Sequence, residues 1–218
     1  MPSNPNLNIF LHAISDHKYE IVDWGDYRIG YFLAKNKEKS VTNEDTLFVI
    51  TNDDGIVFGV SDGAGGHPKG SEAAFLTGEI IQQYFQKNSI KDANMTGLIE
   101  QINDNIIDMK VGARCTLLFG SISQDLLRSY SIGDSEIIYW NSSGNEIYSN
   151  IPHSEVGYQI EAGVLKQKES LDAPDRYIVN NMLGDTSIRI EVASKMNIKK
   201  GHTILIGSDG IFDNLSHE

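Results

Sequence analysis

Three apolar runs in this sequence end on an aspartate beside a small residue. Val57-Phe58-Gly59-Val60-Ser61 leads into Asp62-Gly63, Tyr130-Ser131-Ile132-Gly133 into Asp134-Ser135, and Ile204-Leu205-Ile206-Gly207-Ser208 into Asp209-Gly210. Asn43-Glu44-Asp45 stands just before a fourth apolar run. Taken singly, each Asp-Gly or Asp-Ser is a turn after a strand. Brought together, the carboxylates would repel one another or take up protons unless a cation neutralised them. Oxygen ligands without histidine or cysteine suit Mg²⁺ or Mn²⁺, which keep several waters and need few protein carboxylates. A pair of such ions makes water nucleophilic at neutral pH and neutralises a phosphoryl group, so the chemistry implied is metal-assisted hydrolysis.

The elements that must position these acids are legible as changes of period. Alternation predicts strands over Tyr27–Leu33, Thr46–Thr51 and Ile56–Ser61, the last two joined by the turn Asn52-Asp53-Asp54-Gly55. In that hairpin the start of one strand faces the end of the next, so Glu44 and Asp45 are expected to approach Asp62. Apolar residues at helical spacing predict an amphipathic helix over Ser71–Gln86 and a second over Met95–Met109. Strands follow at Cys115–Ile122, Leu126–Ile132 and Glu136–Asn141, then an irregular helical stretch over Glu155–Lys168. Further strands are predicted at Tyr177–Val179, Ser187–Val192 and Thr203–Gly207. Hairpins with two long helices inserted define an α+β protein rather than alternating βαβ units.

Gly63-Ala64-Gly65-Gly66-His67 admits a rival reading as a glycine loop cradling nucleotide phosphate. No Gly-Lys-Ser/Thr follows, and Asp62 would repel the phosphate. His67 could donate a proton to a leaving alkoxide, neighbour a metal, or cap and pack ahead of the first helix; the structural role is favoured. His153 and His202 offer no ligand spacing.

The chain has 218 residues, which suits one layered domain, and 40% hydrophobic with 22% charged residues is globular rather than disordered. Its net charge of −12 would repel a polyanion, which argues against nucleic acid as a partner. Cys115 is the single cysteine, so neither an intrachain disulfide nor a multi-cysteine metal site can form. The opening residues are polar and no apolar stretch reaches spanning length, so the expectation is a cytoplasmic monomer without membrane contact.

Four groups of residues, in order, resemble the motifs of the bacterial type 2C metal-dependent protein phosphatases. They are Thr42-Asn43-Glu44-Asp45; Asp62-Gly63-Ala64-Gly65-Gly66-His67 with Gly70 and Ala73-Ala74; Gly133-Asp134-Ser135; and Ser208-Asp209-Gly210-Ile211-Phe212-Asp213-Asn214. The similarity runs from about Gly30 to Glu218. It implies a four-layer α/β/β/α sandwich, two antiparallel sheets each flanked by a helical pair, and hydrolysis of phosphoserine or phosphothreonine in a protein substrate. It implies two Mn²⁺ or Mg²⁺ ions: Asp62 bridging both, the Gly63 carbonyl on one, Asp209 on the other, and Glu44 and Asp45 holding metal-bound waters. Asp134, with Asp209, matches a third, weaker position.

Three departures accompany the resemblance. Where the family carries a phosphate-gripping arginine this chain has Ser40, leaving Lys39 or Lys37 as flexible substitutes. The usual Gly-Thr-Thr after the helices reads Arg114-Cys115-Thr116. The single domain, residues 1–218, stops before the family's last helix and strand, which carry another metal-binding aspartate. The alternative to an active phosphatase is therefore a pseudophosphatase that binds phosphoproteins, and a third reading is a phosphatase of small phosphoesters.

Overall fold

The structure, a computed structural model, describes residues 5–36, 42–166, 169–170, 173 and 175–214. Twelve strands and four helices are described. Strands β1 (Asn8–His12), β2 (His17–Trp24) and β3 (Tyr27–Ala34) are followed by β4 (Thr46–Asn52) and β5 (Gly55–Ser61). Helices α1 (Gly70–Phe85) and α2 (Met95–Asp108) then precede β6 (Leu117–Ser123), β7 (Leu126–Ile132), β8 (Glu136–Trp140) and β9 (Glu146–Ser149). The rest comprises α3 (Glu155–Glu161), β10 (Glu191–Val192), β11 (Met196–Asn197), β12 (Thr203–Gly207) and α4 (Asp209–Phe212).

One sheet runs in the order β1-β4-β5-β6-β7-β10, with β11 also paired to β7. A second runs β12-β8-β9, and β2 pairs with β3 as a ribbon. Every pairing is antiparallel. The central strands are apolar on both faces, as β4 shows by burying six consecutive residues, Thr46 to Thr51. One face packs against α1 and α2, where Phe48, Ile50, Val57 and Phe119 meet Ala73, Ile81, Leu98, Ile99 and Ile102. The opposite face, through Leu47, Val49, Ile56 and Leu127, packs against Tyr139 of β8 and the inner face of the β2–β3 ribbon. Helices, large sheet and second sheet thus stack as layers, and the mixed α+β class holds. The further helices among the described residues are the short α3 and α4.

Several boundaries differ from expectation. The β1 strand and the ribbon strand β2 were not foreseen, yet β1 lies on the edge of the main sheet in register with β4, His12 opposite Thr46. Cys115 is not inside β6: it forms isolated bridges to Gly63 on one side and Leu183 on the other, and the ladder proper begins at Leu117. The predicted strand Tyr177–Val179 is a turn ending in one bridge, Ser154 to Val179, because Ile178 N–H bonds locally to the Asp175 carbonyl. Of Ser187–Val192 only Glu191–Val192 is strand, since the Asn181 side chain takes up both backbone groups of Arg189. The helical stretch from Glu155 ends at Glu161 near Gly163, whose φ of 70° no helix can contain.

Candidate metal centre

Both sheets deliver their acids to one end. In the β4–β5 hairpin Thr46 pairs with Ser61, so Asp45 and Asp62 extend side by side from the same edge. In the second sheet Gly207 pairs with Glu136, which sets Asp209, just after β12, beside Asp134, just before β8. A hydrogen bond joins the sheets across this end: Ser208 Oγ donates to Asp45 Oδ2 at 3.1 Å.

The backbone around Asp62 is fixed by Thr116. Asp62 N–H donates to Thr116 Oγ1 at 3.0 Å, Thr116 N–H donates to the Asp62 carbonyl at 2.8 Å, and Ser61 Oγ donates to the Thr116 carbonyl at 2.7 Å. Thr116 Oγ1 also meets Ser135 Oγ at 3.1 Å, which ties the Asp62 and Asp134 turns together through two buried hydroxyls. Asp45 is held through Asn43, whose Oδ1 accepts Asp45 N–H at 2.7 Å while its Nδ2 donates to the Ala34 carbonyl at 2.8 Å. Behind it, His12 Nδ1 lies 2.9 Å from Thr46 Oγ1 and 3.3 Å from the Asp45 carbonyl.

Gly63 is demanded by the start of α1. A β-carbon there would stand 2.6 Å from the Gly70 carbonyl carbon, and one on Gly70 would stand 2.7 Å from the Ala64 carbonyl oxygen. The two glycines let the helix rest directly on the strand end. Gly133, with φ of 108° and its missing side chain directed at Thr116, turns the chain from β7 toward Asp134.

Burial first, then the charges of Asp45, Asp209 and Asp134, hold the Asp62 carboxyl well above the usual range. Asp45 is raised chiefly by burial, although hydrogen bonds from Asp62, Asn43 and Ser208 pull it back. The Asp45 and Asp62 carboxyls lie against each other, and their proximity in a buried setting favours the protonated form of the pair over two bare charges. Burial, reinforced by Asp209 and then Asp213, pushes Asp134 up to about 7. Burial, with Asp134 and Asp213, likewise raises Glu136 to about 7. Each of these acids nevertheless keeps a side open to solvent, so the group is reachable from outside rather than sealed in the core.

An all-oxygen set of mutually repelling carboxylates fits a hard divalent cation. Among the described residues no three His, Cys, Asp or Glu side chains already form a complete ligand group, so an ion here would complete its shell with water and backbone carbonyl oxygens.

The expected acids divide by position. Asp45, Asp62, Asp134 and Asp209 come within electrostatic reach of one another. Glu44 is exposed at the rim, its Oε2 3.7 Å from where a β-carbon of Gly65, in the loop that follows Asp62, would be. His67 is exposed and its N–H closes the loop onto the Ala64 carbonyl. Lys37, Lys39 and Ser40 lie outside the described residues. Arg114 is engaged away from the acids, in an ion pair with Asp185 at 2.9 Å. Sequence reasoning missed Glu136 and His12. The period of two in β8 carries Glu136 to the same side as Asp134, whereas nothing local to His12 signals its long-range partner.

The family described as Protein phosphatase 2C matches residues 34–218. A curated relative, "Probable protein phosphatase 2C 1" of Oryza sativa subsp. japonica, is 23% identical over 188 residues, 86% of this chain and 52% of the relative. The chain thus spans about half the length of that relative. Among solved structures, the serine/threonine phosphatase Stp1 from Staphylococcus aureus superposes with a TM-score of 0.74 at 18% identity, covering 95% of this chain and 81% of that one. The catalytic domain of the serine/threonine phosphatase PstP, in complex with two manganese ions, gives 0.65 at 16% identity, covering 97% and 82%. At these identities the likeness is one of fold.

Proposed function

The chain belongs to the protein phosphatase 2C family, and from that premise we propose that it hydrolyses phosphoserine or phosphothreonine in a protein substrate. The observation that carries this reading is the convergence of Asp45, Asp62, Asp134 and Asp209 at one end of two packed sheets, with Asp45 and Asp62 close enough to share a proton. Such a group has no structural use that outweighs its mutual repulsion. Its residues would hold two Mn²⁺ or Mg²⁺ ions: Asp62 touching both, the Gly63 carbonyl on one, Asp209 on the other, Glu44 and Asp45 through water, and Asp134 with Asp209 at a third position. When bound, the ions supply a water that is nucleophilic at neutral pH and positive charge for the phosphoryl oxygens. PstP, which shares the fold, is known in complex with two manganese ions.

The chain's own part is to hold the carboxylates in place. Asn43 Nδ2 and Ser208 Oγ both donate to Asp45 Oδ2, at 3.4 and 3.1 Å, which fixes the carboxylate beside Asp62. Thr116 brackets the Asp62 backbone from both directions. With its backbone and its neighbour so fixed, Asp62 is held where its carboxylate could meet a cation beside Asp45. Lys39 and Ser40 occupy the segment just before Asn43 and are the proposed contacts for the substrate phosphate.

Phosphate release from a phosphothreonine peptide, measured with Mn²⁺, with EDTA and for Asp62→Asn, tests the reading. Turnover is expected only in wild type with Mn²⁺. Turnover that persists in EDTA, or in Asp62→Asn at the wild-type rate, would refute it, and a wild type that binds the peptide without releasing phosphate would indicate a phosphoprotein-binding module.

A further inference from the structure

His153 has no exposed surface, yet every polar atom of its ring is engaged. Nδ1 accepts from Gly133 N–H at 3.2 Å and from Asn181 Nδ2 at 2.7 Å, and Nε2 meets Glu191 Oε2 at 3.2 Å. With two donors at Nδ1, the ring proton belongs on Nε2, directed at the Glu191 carboxylate. The backbone closes the same contact from the other side, since His153 N–H donates to the Gly133 carbonyl at 2.9 Å. Both main-chain groups of Gly133 are therefore taken by one residue, 20 positions away in the chain. Gly133 is the left-handed residue that aims Asp134, and a glycine without such bonds is free to rotate.

We propose that His153 is a positioning residue for the metal centre. Its imidazole clamps the Gly133 peptide so that the Asp134 carboxylate is delivered to the acidic group in a single orientation, and Glu191 holds the imidazole in the tautomer that the clamp requires. The inference rests on the reading of Asp134 and Asp209 as the weaker cation position. It makes a claim that a general packing role does not: loosening the clamp weakens the ion held by Asp134 and leaves the ions held by Asp62 and Gly63 unchanged. Outer contacts of this kind typically change metal affinity by about 10- to 100-fold when removed.

The test is a Mn²⁺ titration followed by electron paramagnetic resonance of the free ion, on wild type, His153→Leu, His153→Asn and Glu191→Ala. Thermal melts run in parallel. His153→Leu keeps bulk but loses the acceptor, and about a 10-fold or greater weakening of the weakest binding phase is expected, with the tighter phases unmoved. His153→Asn restores an acceptor near the Nδ1 position and should recover most of that loss. Glu191→Ala, at a side chain 28% exposed, frees the ring and should weaken the same phase about threefold or more. A folded His153→Leu protein whose weakest phase matches wild type overturns the proposal, as does equal weakening of all phases. If His153→Leu does not fold, an unchanged weakest phase in Glu191→Ala overturns it. Wild type that binds Mn²⁺ without releasing phosphate removes the enzymatic reading while the comparison still decides the role of His153. Wild type that binds no Mn²⁺ removes both.

Discussion

Replacing Asp134 by Asn should stabilise the cation-free protein, by an amount that grows as pH rises from about 4 to about 7. Asp134 rises from 3.8 to about 7 on folding, first through burial and then through Asp209 and Asp213. Below the unfolded value both states carry the proton and no penalty exists. Between the two values the folded state keeps a proton that the unfolded state has lost, so stability falls as pH rises, by about 1.4 kcal/mol per unit. Above about pH 7 both states are ionised and the penalty is constant, at most about 4 kcal/mol. Because Asp134 keeps a solvent-facing side, we take half of that ceiling, about 2 kcal/mol, or roughly 4–8 °C in Tm for a chain of this size. Asn carries no charge and removes the penalty. Melts in EDTA should show Asp134→Asn above wild type at pH 8, with the gap shrinking by more than half at pH 5. Saturating Mn²⁺ should narrow or invert the pH 8 gap, since wild type alone offers the full carboxylate set. A variant no more stable than wild type in EDTA at pH 8, or a gap independent of pH, would refute the reasoning.

Gly63→Ala forces a β-carbon to 2.6 Å from the backbone of Gly70; urea melts should show a loss of about 1–3 kcal/mol, with Mn²⁺-dependent phosphate release lost as well. Cys115 is fully buried and its thiol is pushed up to about 11 by that burial, so a thiol reagent at pH 8 should label the native protein only at the rate of unfolding and label the urea-unfolded protein at once. Tyr139 donates to the Asn197 carbonyl at 2.8 Å and lies 2.6 Å from His202 Nδ1; Tyr139→Phe should cost about 1–2 kcal/mol in the same melts while leaving Mn²⁺ affinity unchanged.

The acids of the site were legible because they end strands, and a strand end is marked locally by a change from apolar alternation to Asp beside Gly or Ser. The β4–β5 pairing was legible too, since Asn52 to Gly55 is a turn by composition and fixes Asp45 opposite the Asp62 edge. What could not be read was the second tier. His153 looks like a loop histidine, and its partners Gly133, Asn181 and Glu191 are brought to it only by tertiary packing. The β1 strand escaped for a related reason: Asn8–His12 has little pattern of its own and gains its ladder from β4. At Tyr177–Val179 a local backbone turn, and at Arg189 the Asn181 side chain, satisfy groups that a strand would have paired, so apolar content there misled.

The contact between Gly63 and Gly70 makes residues 64–69 a closed ring, pinned at one point and exposed over Gly65 to Lys69. Length or composition at the tip of that ring can change without a force being transmitted to Asp62, because both feet stand on the same spot. Selection, or a designer, can therefore vary what the rim presents to its surroundings while the carboxylates beneath stay where they are.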